Sequence, residues 1–350
     1  MNQRRTIIVK VTGMSNPSIP DVSQFVGRES NLFGDVEFIF DDNLDVADAW
    51  FVIEGSTSRQ LSCTVPRQNV FFLTAEASWP TGFYSESESK SRFLKQFAAI
   101  YTPHDTNHPN TKNVPPFLPW MVNANHGPSM FAPHDRDIDY LREMSVPLKT
   151  KKLSVICSNQ TWTADHRLRL RFVQRLADHF GDRLDWYGNG VNSMAEKWDG
   201  LIDYEYSIVL ENRSQYNSIT EKIQDPFLTY TFPIYWGAPN IGDYFPGNSF
   251  AQINIEDPTA AIAGIEGVII NAPTADQIDA LGVARRVVLD EFMFLNRITK
   301  IALSVFEPGA VADLVELSFP KRTDRLFDGR HGKFRNATVS IVSHIGTRIG

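Results

Sequence analysis

Short apolar runs alternate with polar stretches along most of this 350-residue chain. In the first half, residues 6–11, 36–40, 50–53, 70–73 and 98–101 read as strands. Several are apolar at every position, the pattern of parallel strands covered on both faces. Residues 91–97 read as part of a helix. The pattern stops over residues 103–133, where seven prolines bar any regular helix. A loop-rich stretch of that length usually serves function. The pattern restarts at Lys149-Thr150-Lys151-Lys152, with a strand at 153–157, a helix at 164–180 capped by Thr163, and strands at 184–187, 206–210, 233–236 and 250–255. Thr274, with Gln277 three positions on, caps a last helical region that reaches Leu303. Strands alternating with helices in both halves predict an α/β protein with two open parallel sheets.

Length adds an expectation of two domains. They are placed at 1–150 and 151–305, with a basic tail at 306–350. Hydrophobic content of 42% and charged content of 21% are ordinary for a globular chain. The net charge of −7 argues against a nucleic-acid partner. That charge is uneven: residues 321–350 hold seven Lys/Arg and two Asp, leaving −12 for the rest. Such a tail reads either as a solvated segment or as one drawn to an anionic membrane surface. No apolar run is long enough to span a bilayer. Lys10 interrupts the first apolar run, which reads as a strand and not a signal peptide. Cys63 and Cys157 make no disulfide framework or metal cluster, and Cys157 reads as a small core residue. A cytoplasmic protein, with peripheral membrane contact through 321–350, is the expectation.

Open parallel sheets bind ligands beyond the carboxyl ends of their strands. In the second half those ends are Ser158-Asn159, Gly188-Asn189-Gly190 and Glu211-Asn212, which should share one rim. In the first half, VFFL runs out into Thr74-Ala75-Glu76. Glu76 is there either a reactive carboxylate or a capping or surface one. Arg169 precedes Phe172 and Val173 by three and four residues, so it borders the apolar stripe of its helix. Arg167 leans to a more solvated face. An arginine at a core edge needs an anionic partner, either a diphosphate or a neighbouring carboxylate. Asp135-Arg136-Asp137-Ile138-Asp139 contains D-x-D, but a charge run is usually a solvated face. His104 and His108 have metal-ligand spacing only if helical, and Pro103 and Pro109 flank them. No metal is expected.

The most informative segment is LENRSQYNSITEK, residues 210–222. It follows an apolar strand and enters a helix start, where Ser218 and Glu221 fit a capping box. The free N–H groups of that start carry partial positive charge, and Lys222 adds a full one. Strand, polar loop, capped helix and lysine together have the make-up of a diphosphate site. The segment resembles the donor-binding signature of the alpha-1,3-fucosyltransferases, glycosyltransferase family 10, roughly F-E-N-S, a spacer, then Y-x-T-E-K. Glu211-Asn212 and Thr220-Glu221-Lys222 match it at the right separation. PFLTYTFPIYWGAPNIGDYFPGNSF, residues 226–250, is also similar, including the step from Pro233 to Gly237. Ser218 stands where the family has tyrosine, with Tyr216 two residues earlier, and Arg213 replaces Ser or Thr. FLTAE resembles the family's T-G-E motif, with Ala75 in place of glycine.

The resemblance implies the GT-B architecture, two Rossmann-like domains facing each other across a cleft, in a bacterial-type soluble member. It implies an inverting transferase that moves fucose from GDP-fucose, without a cofactor or obligatory metal. The acceptor would be a glycan or lipid-linked glycan, fucosylated alpha-1,3/1,4 on a GlcNAc- or Glc-type residue of a surface polysaccharide. Glu76 would be the catalytic base. Arg169, Asn159, Tyr187, Glu211, Asn212, Tyr216, Ser218, Glu221 and Lys222 would contact the donor. Glu221 has two calls on its carboxylate, the capping box and the donor's ribose or sugar. Two alternatives are a transferase of the same fold using another nucleotide sugar, and a carbohydrate-binding protein without turnover.

Overall fold

The computed structural model describes residues 5–13, 32–54, 60–74, 88–106, 108–122, 136–161 and 163–319. Two compact units divide the chain: Met1–Phe117 with Phe294–Gly350, and Leu118–Met293. The expected boundary at 150 thus lies at 117, and the chain re-enters the first unit at Phe294. Ala75, Glu76, Asp135 and residues 320–350 lie outside the described residues, whereas 306–319 of the expected tail belong to the first unit and include a strand there.

In the first unit, β1 (Ile7–Gly13), β2 (Leu32–Phe33), β3 (Val36–Ile39), β4 (Ala49–Ile53), β6 (Val70–Leu73), β7 (Ala99–Thr102) and β8 (Thr111–Asn113) form one sheet in the order β2-β3-β1-β4-β6-β7-β8. All pairs are parallel except β2 with β3. Every residue of β4 and β6 is buried, as their unbroken apolar character requires. Helix α1 (Glu88–Leu94) brings Phe93 onto Phe72 at 5.4 Å between ring centroids. It ends before Lys95, and Phe97 packs on Phe72 at 5.2 Å from the turn that follows. Lys10 faces inward: its Nζ donates to the carbonyls of Asp42 and Leu44 at 2.8 Å and of Ser62 at 3.1 Å, and lies 4.7 Å from the Trp50 ring centroid.

A second, antiparallel ladder pairs β5 (Gln60–Val65) with β14 (Asp313–Ser318). Both alternate exposed and buried positions along part of their length, the signature of a sheet wet on one side. Reading only for continuous apolar runs overlooks them. Helix α7 (Phe294–Val305) belongs to the same unit, where Arg297 donates to the carbonyls of Pro115 and Pro116 at 2.6 Å each.

The second unit has a wholly parallel sheet of β9 (Lys151–Ile156), β10 (Asp185–Tyr187), β11 (Tyr204–Leu210), β12 (Phe232–Trp236) and β13 (Ala251–Gln252), ordered β10-β9-β11-β12-β13. Short helix α2 (Ile138–Glu143) precedes it. Helix α3 (Ala164–Phe180) starts where expected, with Thr163 accepting from the His166 N–H at 3.0 Å. Its buried residues Arg169, Phe172, Val173, Leu176 and Phe180 recur at spacings of three and four. Helix α4 (Glu221–Leu228) follows β11, and α5 (Pro258–Ile269) and α6 (Ala275–Val287) complete the unit.

Three local expectations change. The cap of α4 is Thr220, whose hydroxyl accepts from the Lys222 N–H, so Ser218 and Glu221 do not form a capping box. The expected strand over 250–255 shortens to two residues, because the Asn254 side chain accepts from the Glu256 N–H and Asp257 caps α5. The last helical region is not continuous: α6 has the expected Thr274–Gln277 capping box but gives way to a π-helical turn, and Met293 turns extended before α7.

Candidate functional site

The strand order of the second sheet selects one crevice. Chain connections run outward in opposite directions from β9 and β11, so the gap beyond their carboxyl ends is a topological switch point. The three expected strand ends do meet there. The Asn159 N–H donates to Asn189 O at 3.1 Å, and Asn159 Nδ2 donates to Gly190 O at 3.1 Å. Gly188 sits at φ 146°, and a Cβ there would lie 2.4 Å from Cys157 O. The loop after β10 can therefore lie on the end of β9 only with glycine at 188.

Cations converge on this crevice. Arg169 is buried, one side of its guanidinium held by Asn212 Oδ1 and, at 3.4 Å, by Leu210 O. Its Nε is buried with no hydrogen-bond partner. Lys222, in the first turn of α4, lies 3.1 Å from Glu221 Oε1 and 3.9 Å from Glu211 Oε2. Glu211 is buried at the end of β11 and accepts from Thr220 N at 2.9 Å and Thr220 Oγ1 at 2.7 Å. One carboxylate thus fixes the cap of α4. Gly237 is required next to it, since a Cβ there would lie 2.5 Å from Glu211 Cγ and 2.3 Å from the Tyr235 hydroxyl.

The charges tune one another. Burial works to raise Glu221, but Lys222 and Lys197 outweigh it and hold the carboxyl down at about 2. Burial pushes Glu211 up against the pull of Lys222. Burial works to lower Lys222, yet Glu221 and Glu211 keep it above its ordinary value. The rim therefore presents firmly charged cations at neutral pH, each with a carboxylate or carbonyl at hand. Such a site can hold a diphosphate through charge-assisted hydrogen bonds and the N-termini of α3 and α4.

The other expected donor contacts are differently placed. Tyr187 ends β10, and its hydroxyl bonds that of Tyr204 at 2.8 Å, which in turn donates to Asp185. Tyr216 is exposed, whereas Ser218 is buried in the loop before α4. Arg213 pairs with Asp165 at 3.2 Å. Cys157 is buried, as expected, and its Sγ donates to Ser158 O at 3.5 Å; burial raises the thiol against the opposing charge of Arg169. Of the D-x-D run, Asp137 caps α2 and Arg136 pairs with Glu196 over the Trp198 ring. His104 is buried, and both it and His108 lie in a loop. Among the described residues, no group of three His, Cys, Asp or Glu could hold a metal.

Sequence reading missed two groups here. Lys197, on a 3-10 turn before β11, pairs with fully buried Asp225 of α4 and lies 3.9 Å from Glu221. Asp225 also accepts from the Met121 N–H at 2.8 Å. His166 lies one turn before Arg169 and bonds Asn212. Neither lysine nor histidine stands in a periodic or glycine-marked pattern. The only hint for His166 was its place in the first turn of α3.

The first sheet ends on a different rim. Thr74 Oγ1 bonds Thr102 Oγ1 at 3.1 Å, and the His104 N–H donates to Thr102 Oγ1 at 3.2 Å. Glu54, at the end of β4, is buried at φ 58°, a backbone conformation uncommon outside glycine.

A parallel α/β unit with a cationic crevice at its switch point defines a class of nucleotide-binding domain. More particularly, residues 146–263 match the family described as Glycosyltransferase family 10 (fucosyltransferase) C-term. The Alpha-(1,3)-fucosyltransferase FucT of Helicobacter pylori is 35% identical over 62 residues, which cover 18% of this chain and 13% of that protein. A solved alpha1,3-fucosyltransferase has 16% identity and a TM-score of 0.46, covering 84% of this chain and 93% of that one. The TarM structure has 9% identity and a TM-score of 0.41, covering 73% and 55% respectively.

Proposed function

We propose that this chain is a fucosyltransferase that takes fucose from GDP-fucose and passes it to a glycan or lipid-linked glycan hydroxyl with inversion. The observation that carries this reading is the buried Arg169, with a free Nε, set beside Lys222 on the family 10 segment. The reaction joins the acceptor oxygen to the anomeric carbon and breaks that carbon's bond to the diphosphate. Glu76, outside the described residues, would take the hydroxyl proton, help worth roughly 10²–10⁴-fold. Arg169, Lys222 and the capped start of α4 would offset the charge gathering on departing GDP, so that no metal is needed. No helix among the described residues is long and apolar enough to cross a membrane. Attachment to a membrane surface through 321–350 is an extension of the reading.

Thermal shift with nucleotides tests it. A ligand at 100 times its dissociation constant stabilises by about 2.7 kcal/mol. GDP should raise the melting temperature more than UDP or ADP, and GDP-fucose with an acceptor screen should yield a fucosylated product. A preference for UDP would redirect the reading to another nucleotide sugar on the same fold. Donor binding without any product would favour a carbohydrate-binding protein.

A further inference from the structure

Lys197 opens a 3-10 turn, Lys197–Gly200, that precedes β11. Glu196 caps that turn, its N–H donating to Asp199 Oδ2 at 3.3 Å, and Arg136 holds the Glu196 carboxylate. The turn is therefore fixed, and it brings the Lys197 ammonium to α4. There it pairs with Asp225 Oδ2, while Asp225 Oδ1 accepts from the Met121 N–H at 2.8 Å. The same ammonium lies 3.9 Å from Glu221 Oε1, the oxygen that Lys222 approaches to 3.1 Å. Two lysines thus share one carboxylate oxygen, and they differ in depth. The Lys222 side chain is 25% exposed, that of Lys197 12%, and that of Asp225 is fully buried. Lys197 and Lys222 also line one cavity of about 20 Å³, together with Leu201 and Pro226. That is room for a single water and too little for a phosphate group.

Asp225 follows Lys222 by three residues and Glu221 by four, so the three are neighbours on the helix. A buried carboxylate stripped of its cation is costly, and without Lys197 it would draw on Lys222. Lys222 already stands 3.9 Å from Glu211 Oε2. An ammonium shared among three carboxylates has little left for a further anion. We propose that Lys197 is a positioning residue for donor binding: it neutralises Asp225 and shares Glu221, and so leaves the Lys222 ammonium to the donor's diphosphate without touching the donor itself. This rests on the donor reading above. The Lys197–Asp225 pair is neutral as a whole, so its two halves should act with opposite sign. Removing the cation sets an extra carboxylate against the diphosphate. Removing the anion releases a cation toward it, and removing both changes little.

GDP-fucose without acceptor, titrated calorimetrically into the full chain, reads the donor dissociation constant. Lys197→Met should raise that constant about tenfold, within the range of coupling inside one salt-bridge network. Asp225→Asn, which keeps an oxygen for the Met121 N–H, should leave it equal or lower. The double variant should return to within about threefold of the unaltered chain. Melting temperatures are read on the same samples, because a pair that served stability alone would lose affinity in step with stability in all three variants. Unchanged affinity in Lys197→Met, weaker binding in Asp225→Asn, or a double variant that stays beyond threefold would each overturn the inference while sparing the donor reading. If Lys197→Met fails to fold, Asp225→Asn and the double variant decide the matter by the same limits. An absence of GDP-fucose binding by the unaltered chain would overturn the donor reading itself.

Discussion

The two parallel sheets follow one construction rule and finish differently. Beyond the first sheet, the described buried groups are mostly neutral: Thr74 and Thr102 bond each other, and His104 bonds Thr102 through its backbone. Beyond the second sheet, Arg169, Lys222 and Lys197 face Glu211, Glu221 and Asp225 within the space of three strand ends. Three lysines sharpen the contrast. Lys10 in the first unit donates to three carbonyls, and Lys149 in the second to Ile202 O, Thr229 O and Thr231 Oγ1. Neither has a carboxylate among those acceptors, and both tie segments together. Burial lowers Lys149 to about 7, against the pull of Asp203. Lys222 has carboxylates close by and keeps its charge. A cation backed by carboxylates stays ready for an anionic ligand. One backed by carbonyls is spent on structure.

The contrast can be broken most severely at Glu76. If the first rim activates the acceptor and the second holds the donor, Glu76→Gln should cut kcat by about 10²–10⁴-fold with GDP affinity unchanged. Steady-state kinetics and calorimetry on one preparation decide it, and a variant that loses GDP binding would erase the division. Lys222→Ala should do the opposite, weakening GDP binding by about 1.5–3 kcal/mol, the range for hydrogen bonds to charged groups. Arg169→Lys should not restore what Arg169→Ala loses, since lysine lacks the planar fork that Asn212 and the ligand would share.

A smaller effect tests the scaffold of the second rim alone. Thr220→Val removes the cap of α4 and a bond to buried Glu211, so chemical denaturation should read a loss of about 1–3 kcal/mol. Ser218→Ala should cost less, because Thr220 is the capping residue of that helix. A larger loss at Ser218 would restore the cap to the position read from sequence. Acid titration probes the same charges. Glu221 folds with its pKa depressed, so its contribution is complete above the unfolded value near 4.3 and fades as the pH falls toward about 2. Glu221→Gln should lessen the acid dependence of stability in that window. The smallest expected effect is that of EDTA, which should leave turnover within about a factor of two because cations of the chain offset the leaving charge.

Residue pattern alone determined a good deal. Apolar runs disclosed most strands of both sheets, because strands covered on both faces have few polar positions to hide them, but not the two-residue β2 or the polar β8. The 3.6-residue stripe and Thr163 marked α3 and put Arg169 at its core edge, and the spacing of Glu211-Asn212 from Thr220-Glu221-Lys222 marked the crevice. Only the tertiary structure decided the rest. Ser218 and Thr220 are both good caps, and the choice fell to Thr220 because buried Glu211, nine residues back along the path from β11, accepts both its hydroxyl and its N–H. The β5–β14 ladder joins residues about 250 apart, a pairing that no local pattern encodes. Lys197 and His166 became site residues through the charges that surround them after folding, and a residue's neighbours in space cannot be read from its neighbours in the chain.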